Sequence, residues 1–418
     1  MFKKGVKVVL IQLLGIVMGV VSLFYIAGEM SPEVYSLIGI YALINGVVTT
    51  FSHLGLETRM MREALMWVSV GNMEKVKEYV TQSFVSRMIG MVILTPFVLV
   101  FLYYINETKY DGEHTLILLT FYLGALLSAF IDSMSLIVRS QGGYVFSTFV
   151  RTMNTDIVKI LGILLFWACG ASAYLYFYAL SSLPLFLIFL WKVYSCISLR
   201  YLKLCPTKEK IIRNKYLWLC TDVGYFKTNA DSLLVSVVFP PAIMGSYTIY
   251  KTLENMCRNT IAGFFDVLTQ ETVKYKGDYG NLVLVERKIK KARNLFLLLC
   301  IIGVVIFAFS SDWIIVLLKL NRYEYITEIF YCVFAVSAIA LIGKYEINMI
   351  AFYADSKTTF KLSVIQMIIT IAAFLFVVVI PSLYGVFIQR LFAYAAFSLI
   401  SIVYFKRRRN MLYTKVLD

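Results

Sequence analysis

The sequence predicts an all-α polytopic membrane protein with about twelve transmembrane helices. Apolar residues make up 60% of the chain. Charged residues make up only 16%, whereas a soluble protein carries about 25%. Most of the charges stand at the ends of long apolar segments. At roughly 20 residues per span plus short connections, 418 residues accommodate about a dozen helices.

Twelve segments are apolar and long enough to cross a bilayer, and we take them in chain order. The predicted spans are 6–28, 34–55, 80–105, 114–138, 146–168, 174–198, 216–239, 244–267, 294–318, 327–351, 361–380 and 384–405.

The connections between the spans alternate in charge. Lys and Arg accumulate in 57–79, 199–215 and 268–293 and in the terminal KRRR at 406–409, whereas the intervening connections are short and carry few of them. By the positive-inside rule, both termini are predicted to lie in the cytoplasm, as an even number of spans requires. The net charge of +15 is therefore read as a topology signal and not as nucleic-acid binding.

Two of the basic connections contain amphipathic segments. GNMEKVKEYV begins at Gly71 and GNLVLVERKIKKA begins at Gly280. A basic amphipathic segment next to a span is typical of a short helix that lies on anionic headgroups. The sequence therefore predicts two interfacial helices and contact with membrane lipids.

The two halves of the chain resemble each other. At a constant offset of 209 residues Pro32 aligns with Pro241, and further identities follow on the same diagonal. Both copies run in the same direction across the membrane, which predicts a parallel repeat about an axis along the membrane normal. We expect two six-helix bundles, residues 1–209 and residues 210–418, with a cavity between them.

The sequence offers no signature of an enzyme, a metal site or a cofactor. Its seven cysteines are scattered without a CxxC pair, and it has only two histidines. It contains no glycine-rich phosphate loop, no GxSxG and no paired acidic loop. We therefore expect a transporter that needs no cofactor beyond a coupling ion.

Basic residues inside the spans are the candidates for substrate binding. A charge at the centre of a span is costly, about 2.5–3.5 kcal/mol on insertion scales, and faces a bundle interior or a water-filled cavity. Excess positive charge in a cavity indicates an anionic passenger, because guanidinium and ammonium groups bind phosphate. The candidate cavity cations are Arg87, Arg151, Lys251 and Arg258.

Acidic residues inside the spans are the candidates for coupling. A carboxylate in a cavity can take up a proton or bind a cation, and the residues do not decide between H⁺, Na⁺ and the membrane potential alone. The candidate coupling acids are Asp132, Asp156, Asp231 and Glu254.

A structural interpretation of the same charges stays open. Three pairs have helical spacing and can neutralise each other within one helix. These pairs are Lys227–Asp231, Asp156–Lys159 and Glu254–Arg258. Lys192, Lys344 and Arg390 can instead extend their ammonium and guanidinium groups toward a membrane interface.

Several segments are similar to one transporter family. Residues 222–258 carry an Asp before SLLV, a short turn and then GSYTIYK, and residues 30–63 have a Pro-Glu-Tyr-type turn before a helix that ends near Leu-Gly-Leu. Residues 310–336 and 354–386 add two further matches, although this chain has Leu320 where the family often has Gly. The chain resembles the Wzx-type polysaccharide flippases of the multidrug/oligosaccharidyl-lipid/polysaccharide exporter superfamily.

This resemblance implies a function and a location. The expected protein is a flippase of a bacterial inner membrane. It would move an undecaprenyl-diphosphate-linked oligosaccharide, an O-antigen or capsule-type repeat unit, from the cytoplasmic to the periplasmic leaflet by alternating access. Other membrane proteins of glycan assembly are expected partners. The alternatives are another exporter of the superfamily, such as a multidrug/cation antiporter or a peptidoglycan-precursor flippase, and a membrane glycan polymerase, ligase or acyltransferase.

Overall fold

The computed structural model describes residues 2–53, 67–68, 70–140, 144–152, 158–194, 197, 201, 215–273, 279–354 and 356–414. Throughout these residues the regular structure is helical. The helices are α1 (Phe2–Glu29), α2 (Pro32–Phe51), α3 (Met73–Lys109), α4 (Thr115–Ser140), α5 (Tyr144–Thr152), α6 (Val158–Leu180), α7 (Leu183–Val193), α8 (Lys215–Val238), α9 (Pro241–Val273), α10 (Tyr279–Leu317), α11 (Ile326–Tyr353), α12 (Ser356–Ala373), α13 (Leu375–Val379) and α14 (Leu383–Thr414).

Local sequence signals set the start of α2. Pro32 occupies the first turn, where its missing N–H is not needed, and Ser31 caps the helix by accepting a hydrogen bond from the Val34 N–H at 3.4 Å. Glu33 adds a negative charge in the first turn, where the helix dipole favours it. These signals place the first connection between spans where the sequence predicts it.

The fifth and sixth predicted spans meet within α6. Gly170 interrupts the helix with φ +83°, a conformation that glycine adopts readily. A Cβ on Gly162 would lie 2.9 Å from the Tyr174 ring, and Tyr174 also contacts Phe166. Contacts across so few residues require the chain to fold back at Gly170, because a straight helix rises about 1.5 Å per residue. With this reversal, the helices account for the twelve predicted spans.

The two predicted interfacial helices do not exist as separate elements. The segment that begins at Gly71 forms the first turns of α3, and the segment that begins at Gly280 forms the first turns of α10. In α10 the reason is packing, because Ile289 is fully buried in a core with Leu341 and Phe405. The apolar positions of the amphipathic pattern thus pack inside the protein as part of a long helix, and contact of the basic positions with headgroups stays a prediction.

The chain divides into two compact units, Met1–Gly245 and Ser246–Asp418. In the first unit α4 is central and packs against α2, α3, α6 and α7. One core cluster of this unit joins Val80 of α3, Met134 of α4, Val150 of α5 and Phe189 of α7. In the second unit α11 and α14 pack along each other, with α10 against α11 and α12 against α14.

The helix α8 belongs to the first unit because it packs against α2. Tyr225 of α8 donates a hydrogen bond to the Leu43 carbonyl at 3.1 Å, and its ring contacts Phe51 of α2. The division of the chain into two six-helix bundles, residues 1–209 and residues 210–418, stays a prediction.

Eight helical segments of the described chain are long and apolar enough to cross a bilayer, which makes this a multi-pass membrane protein. α8 and α9 are also of spanning length but are less apolar than these eight segments. Both carry charges in mid-helix, including Asp231 in α8 and Glu254 in α9. Helices of spanning length that tolerate such charges are the place to look for a functional site.

The topology gives a direct prediction. With both termini cytoplasmic, green fluorescent protein fused after Asp418 should fluoresce, and alkaline phosphatase fused at the same position should be inactive. The same two reporters inserted after Asp111, in the connection between α3 and α4, should give the opposite pattern. Phosphatase activity from the C-terminal fusion would contradict the topology.

Candidate functional site

A charged cluster in the second unit is built on one face of α9. Lys251, Glu254 and Arg258 follow each other at spacings of three and four residues, which places them on the same side of a helix. Lys251 and Glu254 are buried and Arg258 is half-buried. The sequence-predicted cations Lys251 and Arg258 are therefore brought together with the predicted coupling acid Glu254.

Glu254 lies at the centre of this cluster. Its Oε1 accepts hydrogen bonds from Arg390 Nη2 and from the Tyr394 hydroxyl, the latter at 2.7 Å. Its Oε2 lies 3.8 Å from Lys251 Nζ. Arg390 and Tyr394 are one turn apart on α14, and the guanidinium carbon stands 5.0 Å from the centre of the Tyr394 ring. Together these contacts hold the carboxylate between α9 and α14.

A small cavity of about 30 Å³ opens beside Glu254. It is lined by Glu254 and Arg258 of α9, by Tyr394 of α14, and by Lys344 and Ser337 among the α11 residues. A space of this size holds a water molecule or two. Arg258 Nη2 donates a hydrogen bond to the neutral side chain of Asn255 at 2.8 Å. Val336 and Ala340 complete the lining, so the cavity is bordered by charged and by apolar side chains.

The cluster has an excess of positive charge. Its basic members are Lys251, Arg258, Lys344 and Arg390, and among the described contacts Glu254 forms ion pairs with Lys251 and Arg390 and lines the cavity together with Arg258 and Lys344. Burial of charges is unfavourable unless opposite charges and hydrogen bonds compensate them. This arrangement is suited to a second, mobile anion.

The structure corrects the interpretation of Arg390 as a residue that extends to an interface. Its side chain is only 2% exposed, and it forms an ion pair with Glu254. Lys344 is half-buried and lines the cavity. Sequence reasoning missed both residues and Tyr394 as site residues, although a lone Arg in the middle of the last span was a signal for Arg390.

Arg87 lies in the first unit, in a different environment. Its Nη1 donates to the Thr49 carbonyl at 2.5 Å and to Ser52 Oγ at 2.7 Å, both at the C-terminal end of α2. One turn later Gly90 packs so closely that a Cβ would lie 2.1 Å from the Ser52 carbonyl oxygen. A cation is favourable at the C-terminus of a helix, so these contacts favour a role in joining α3 to α2. Contact of Arg87 with a passenger stays a prediction.

The other predicted site residues belong to the first unit or lie outside the described residues. Asp231 is buried on α8, and Asp132 is half-buried on α4, both in the first unit. Arg151 belongs to α5, but its side chain lies outside the described residues, as does the whole of Asp156. The roles of these residues in binding and coupling stay predictions. In the described residues no group of His, Cys, Asp and Glu is arranged to hold a metal ion.

The first unit contains an apolar cavity of about 310 Å³ between α2, α3 and α8. The side chains that line it are hydrophobic, and the one polar atom among them, the Tyr225 hydroxyl, is turned to the Leu43 carbonyl. Two lining residues, Phe97 and Phe226, are exposed on the outside of the helices. Exposed apolar side chains on spanning helices are suited to contact with lipid, and we therefore expect the cavity to adjoin the hydrocarbon of the bilayer.

Comparisons with solved structures identify the fold. An inward-facing multidrug resistance MATE family transporter of the MOP superfamily aligns over 99% of this chain and 100% of its own, with a TM-score of 0.73 and 14% identity. An outward-facing MATE family transporter of that superfamily aligns over 99% and 97%, with a TM-score of 0.62 and 12% identity.

A third similar structure is a MOP superfamily transporter from Pyrococcus furiosus, whose description notes a reversed polarity of its binding pocket. It aligns over 99% and 97%, with a TM-score of 0.58 and 11% identity. No protein-family model and no curated protein matches the sequence. The chain therefore has the fold of the MATE family transporters from end to end.

Proposed function

We propose that this protein is a transporter that moves an anionic, lipid-linked passenger across the membrane by alternating access. The passenger that fits best is an oligosaccharide on a polyprenyl diphosphate, carried from the cytoplasmic to the outer leaflet of a bacterial inner membrane. The observation that carries the proposal is the buried basic cluster around Glu254. The fold supports transport over an enzymatic role.

The charge of the cluster supports an anionic passenger. Arg258 and Arg390 can each present two parallel N–H groups to a phosphate, and Lys251 adds a compact positive charge. A diphosphate brings two negative charges into a cluster whose excess is positive. A cationic drug would instead be repelled by Lys251, Arg258 and Arg390, since each is close to the Glu254 carboxylate that such a drug would need.

The apolar cavity of the first unit supports a passenger with a hydrocarbon chain. An apolar cavity of roughly half its volume is known to stay dry and to bind benzene. A cavity that is lined by hydrophobic side chains and adjoins lipid is a favourable place for part of an isoprenoid chain. A soluble anion would gain nothing from this cavity.

A cavity-filling variant tests the role of the hydrocarbon chain. Val47→Phe places a ring in the apolar cavity, so we expect transport of a long-chain lipid-linked sugar to slow several-fold while a short-chain analogue is moved normally. Val92→Phe is the matched control, since Val92 is exposed on α3 and does not line the cavity. Equal rates for both chain lengths in the Val47→Phe variant would argue against entry of the chain here.

The second candidate function is export of cationic drugs. The observation in its favour is that similar structures include multidrug resistance transporters. The two candidates differ in the sign of the passenger, and this difference can be measured directly.

Reconstitution into liposomes distinguishes the two functions. A fluorescent lipid-linked sugar diphosphate, bleached from outside by a membrane-impermeant reductant, should become fully accessible only in liposomes that contain the protein. A fluorescent organic cation should not be taken up faster than in empty liposomes. Cation uptake without movement of the lipid would establish the drug exporter and refute the flippase.

A further inference from the structure

The Glu254 carboxylate occupies the position that an anionic passenger would need. Through Oε1 it accepts the hydrogen bonds of both Arg390 and Tyr394. Its Oε2 faces Lys251 at 3.8 Å and makes no hydrogen bond within the described chain. The donors that would bind a phosphate are therefore already engaged by a side chain.

The basic cluster needs a negative charge at every stage of transport. Several kcal/mol are lost when a buried cation is left without its partner. When no passenger is bound, Glu254 contacts Lys251 and Arg390 and supplies negative charge to both. When a passenger is bound, its phosphate supplies the same charge through the same kind of oxygen atom.

The space beside Glu254 excludes simultaneous occupation. The cavity is about 30 Å³, which suits one or two water molecules and is too small for a diphosphate. A phosphate oxygen can reach Arg390 and Tyr394 only if the carboxylate moves away. From this geometry we propose that Glu254 is an internal counter-anion. On binding, the phosphate of the passenger displaces the Glu254 carboxylate from Arg390, Tyr394 and Lys251. When the carboxylate returns to these groups, it drives release of the passenger.

This exchange has a consequence for protons. Next to a bound diphosphate, the displaced carboxylate meets additional negative charge, and taking up a proton removes the repulsion. Passenger and proton would then bind together. The ionisable groups around Glu254 are Tyr250, Lys251, Cys257 and Arg258 of α9, Cys332 and Lys344 of α11, and Arg390 and Tyr394 of α14.

The inference rests on the proposed function, and a binding experiment separates the two. The probe is a farnesyl diphosphate sugar, whose phosphodiester charges stay constant from mildly acidic to mildly alkaline pH, titrated onto purified full-length protein. Glu254→Gln keeps the shape of the side chain but removes its charge, so it competes less well with phosphate. We expect the variant to bind the probe at least about tenfold more tightly than the wild type and yet to transport it more slowly, because the returning anion is lost.

The pH dependence provides a second readout. Binding by the wild type should strengthen as the pH falls, and binding by Glu254→Gln should not change with pH. Glu346→Gln is the matched control, because Glu346 is also a buried carboxylate of the second unit but lies 3.8 Å from Arg293, outside the cluster. It should bind the probe as the wild type does. Glu254→Asp keeps the charge on a shorter side chain and should bind the probe with intermediate affinity. It provides a second test of the counter-anion if Glu254→Gln does not fold.

Three outcomes would overturn the inference. Equal or weaker binding by folded Glu254→Gln, with saturable binding by the wild type, would refute the counter-anion and leave the proposed function intact. Absence of binding by every form, including the wild type, would refute the proposed function itself. Tighter binding by Glu346→Gln as well would show a general charge effect and would also contradict a specific role for Glu254.

Discussion

Arg390→Met is expected to destabilise the second unit by about 3–5 kcal/mol, since it removes one partner of a buried ion pair and leaves the Glu254 carboxylate buried without its closest cation. The remaining Lys251 contact at 3.8 Å is longer and cannot replace the charge-assisted hydrogen bond that Arg390 Nη2 donates to Glu254 Oε1. The measurement is the midpoint of thermal unfolding of the purified protein, together with the yield of protein that elutes as a single species. This is the largest stability effect that the contacts of the cluster predict.

A triple variant separates the ion pairs from simple packing. Arg390→Met combined with Glu254→Leu and Lys251→Met removes the carboxylate and both buried cations that pair with it, and replacement of a whole buried ionic group by apolar residues is often neutral. The triple variant should therefore unfold at a higher temperature than Arg390→Met alone. Lys75→Met is the control, because Lys75 pairs with Glu78 on the exposed start of α3, where loss of the pair should leave the midpoint unchanged. Normal stability of Arg390→Met would show that the pair does not hold α9 to α14.

Arg258→Gln should reduce transport of an anionic passenger on the order of 100-fold without lowering the amount of folded protein. In the described chain its hydrogen bond goes to the neutral Asn255, so its removal does not strand a directly bonded carboxylate. It borders the cavity beside Glu254, where a phosphate would enter. Transport therefore depends on this charge more strongly than folding does.

The controls for Arg258 concern charge and shape. Lys291→Gln makes the same change of net charge on the exposed side of α10 and should transport normally. Arg258→Lys should recover part of the activity, because the charge remains but the paired donors of the guanidinium are lost. Full transport by folded Arg258→Gln protein would remove this residue from the passenger's path.

The fold was predictable because hydropathy and charge act locally along the chain. Apolar length defined the spans, and the predicted start at residue 34 lies two residues inside α2. The same locality explains the errors. The segment that begins at Gly280 has an amphipathic pattern that suits a helix on the headgroups and a helix in a bundle equally well. The packing of Ile289 against α11 shows that its apolar side is part of a bundle core, and the sequence does not contain this information.

The site was predictable in part. The charges of α9 share a helical face, so their clustering followed from the sequence. The partner of Glu254 did not, because Arg390 is 136 positions away in the chain and helical periodicity carries no information over that distance. Arg87 was correctly expected to be buried, but its bonds to Thr49 and Ser52 depend on how α3 crosses the end of α2. For this reason we expect Arg87→Ala to lower the protein level, and not export alone.

We propose that the buried basic cluster selects its passenger by negative charge. A direct test compares three lipids of equal chain and sugar in liposomes that contain the purified protein: a diphosphate, a monophosphate and an uncharged glycoside. We expect the rate of movement to fall in that order, and the uncharged lipid to move no faster than in empty liposomes. Equal rates for the diphosphate and the uncharged lipid would rule out selection by charge.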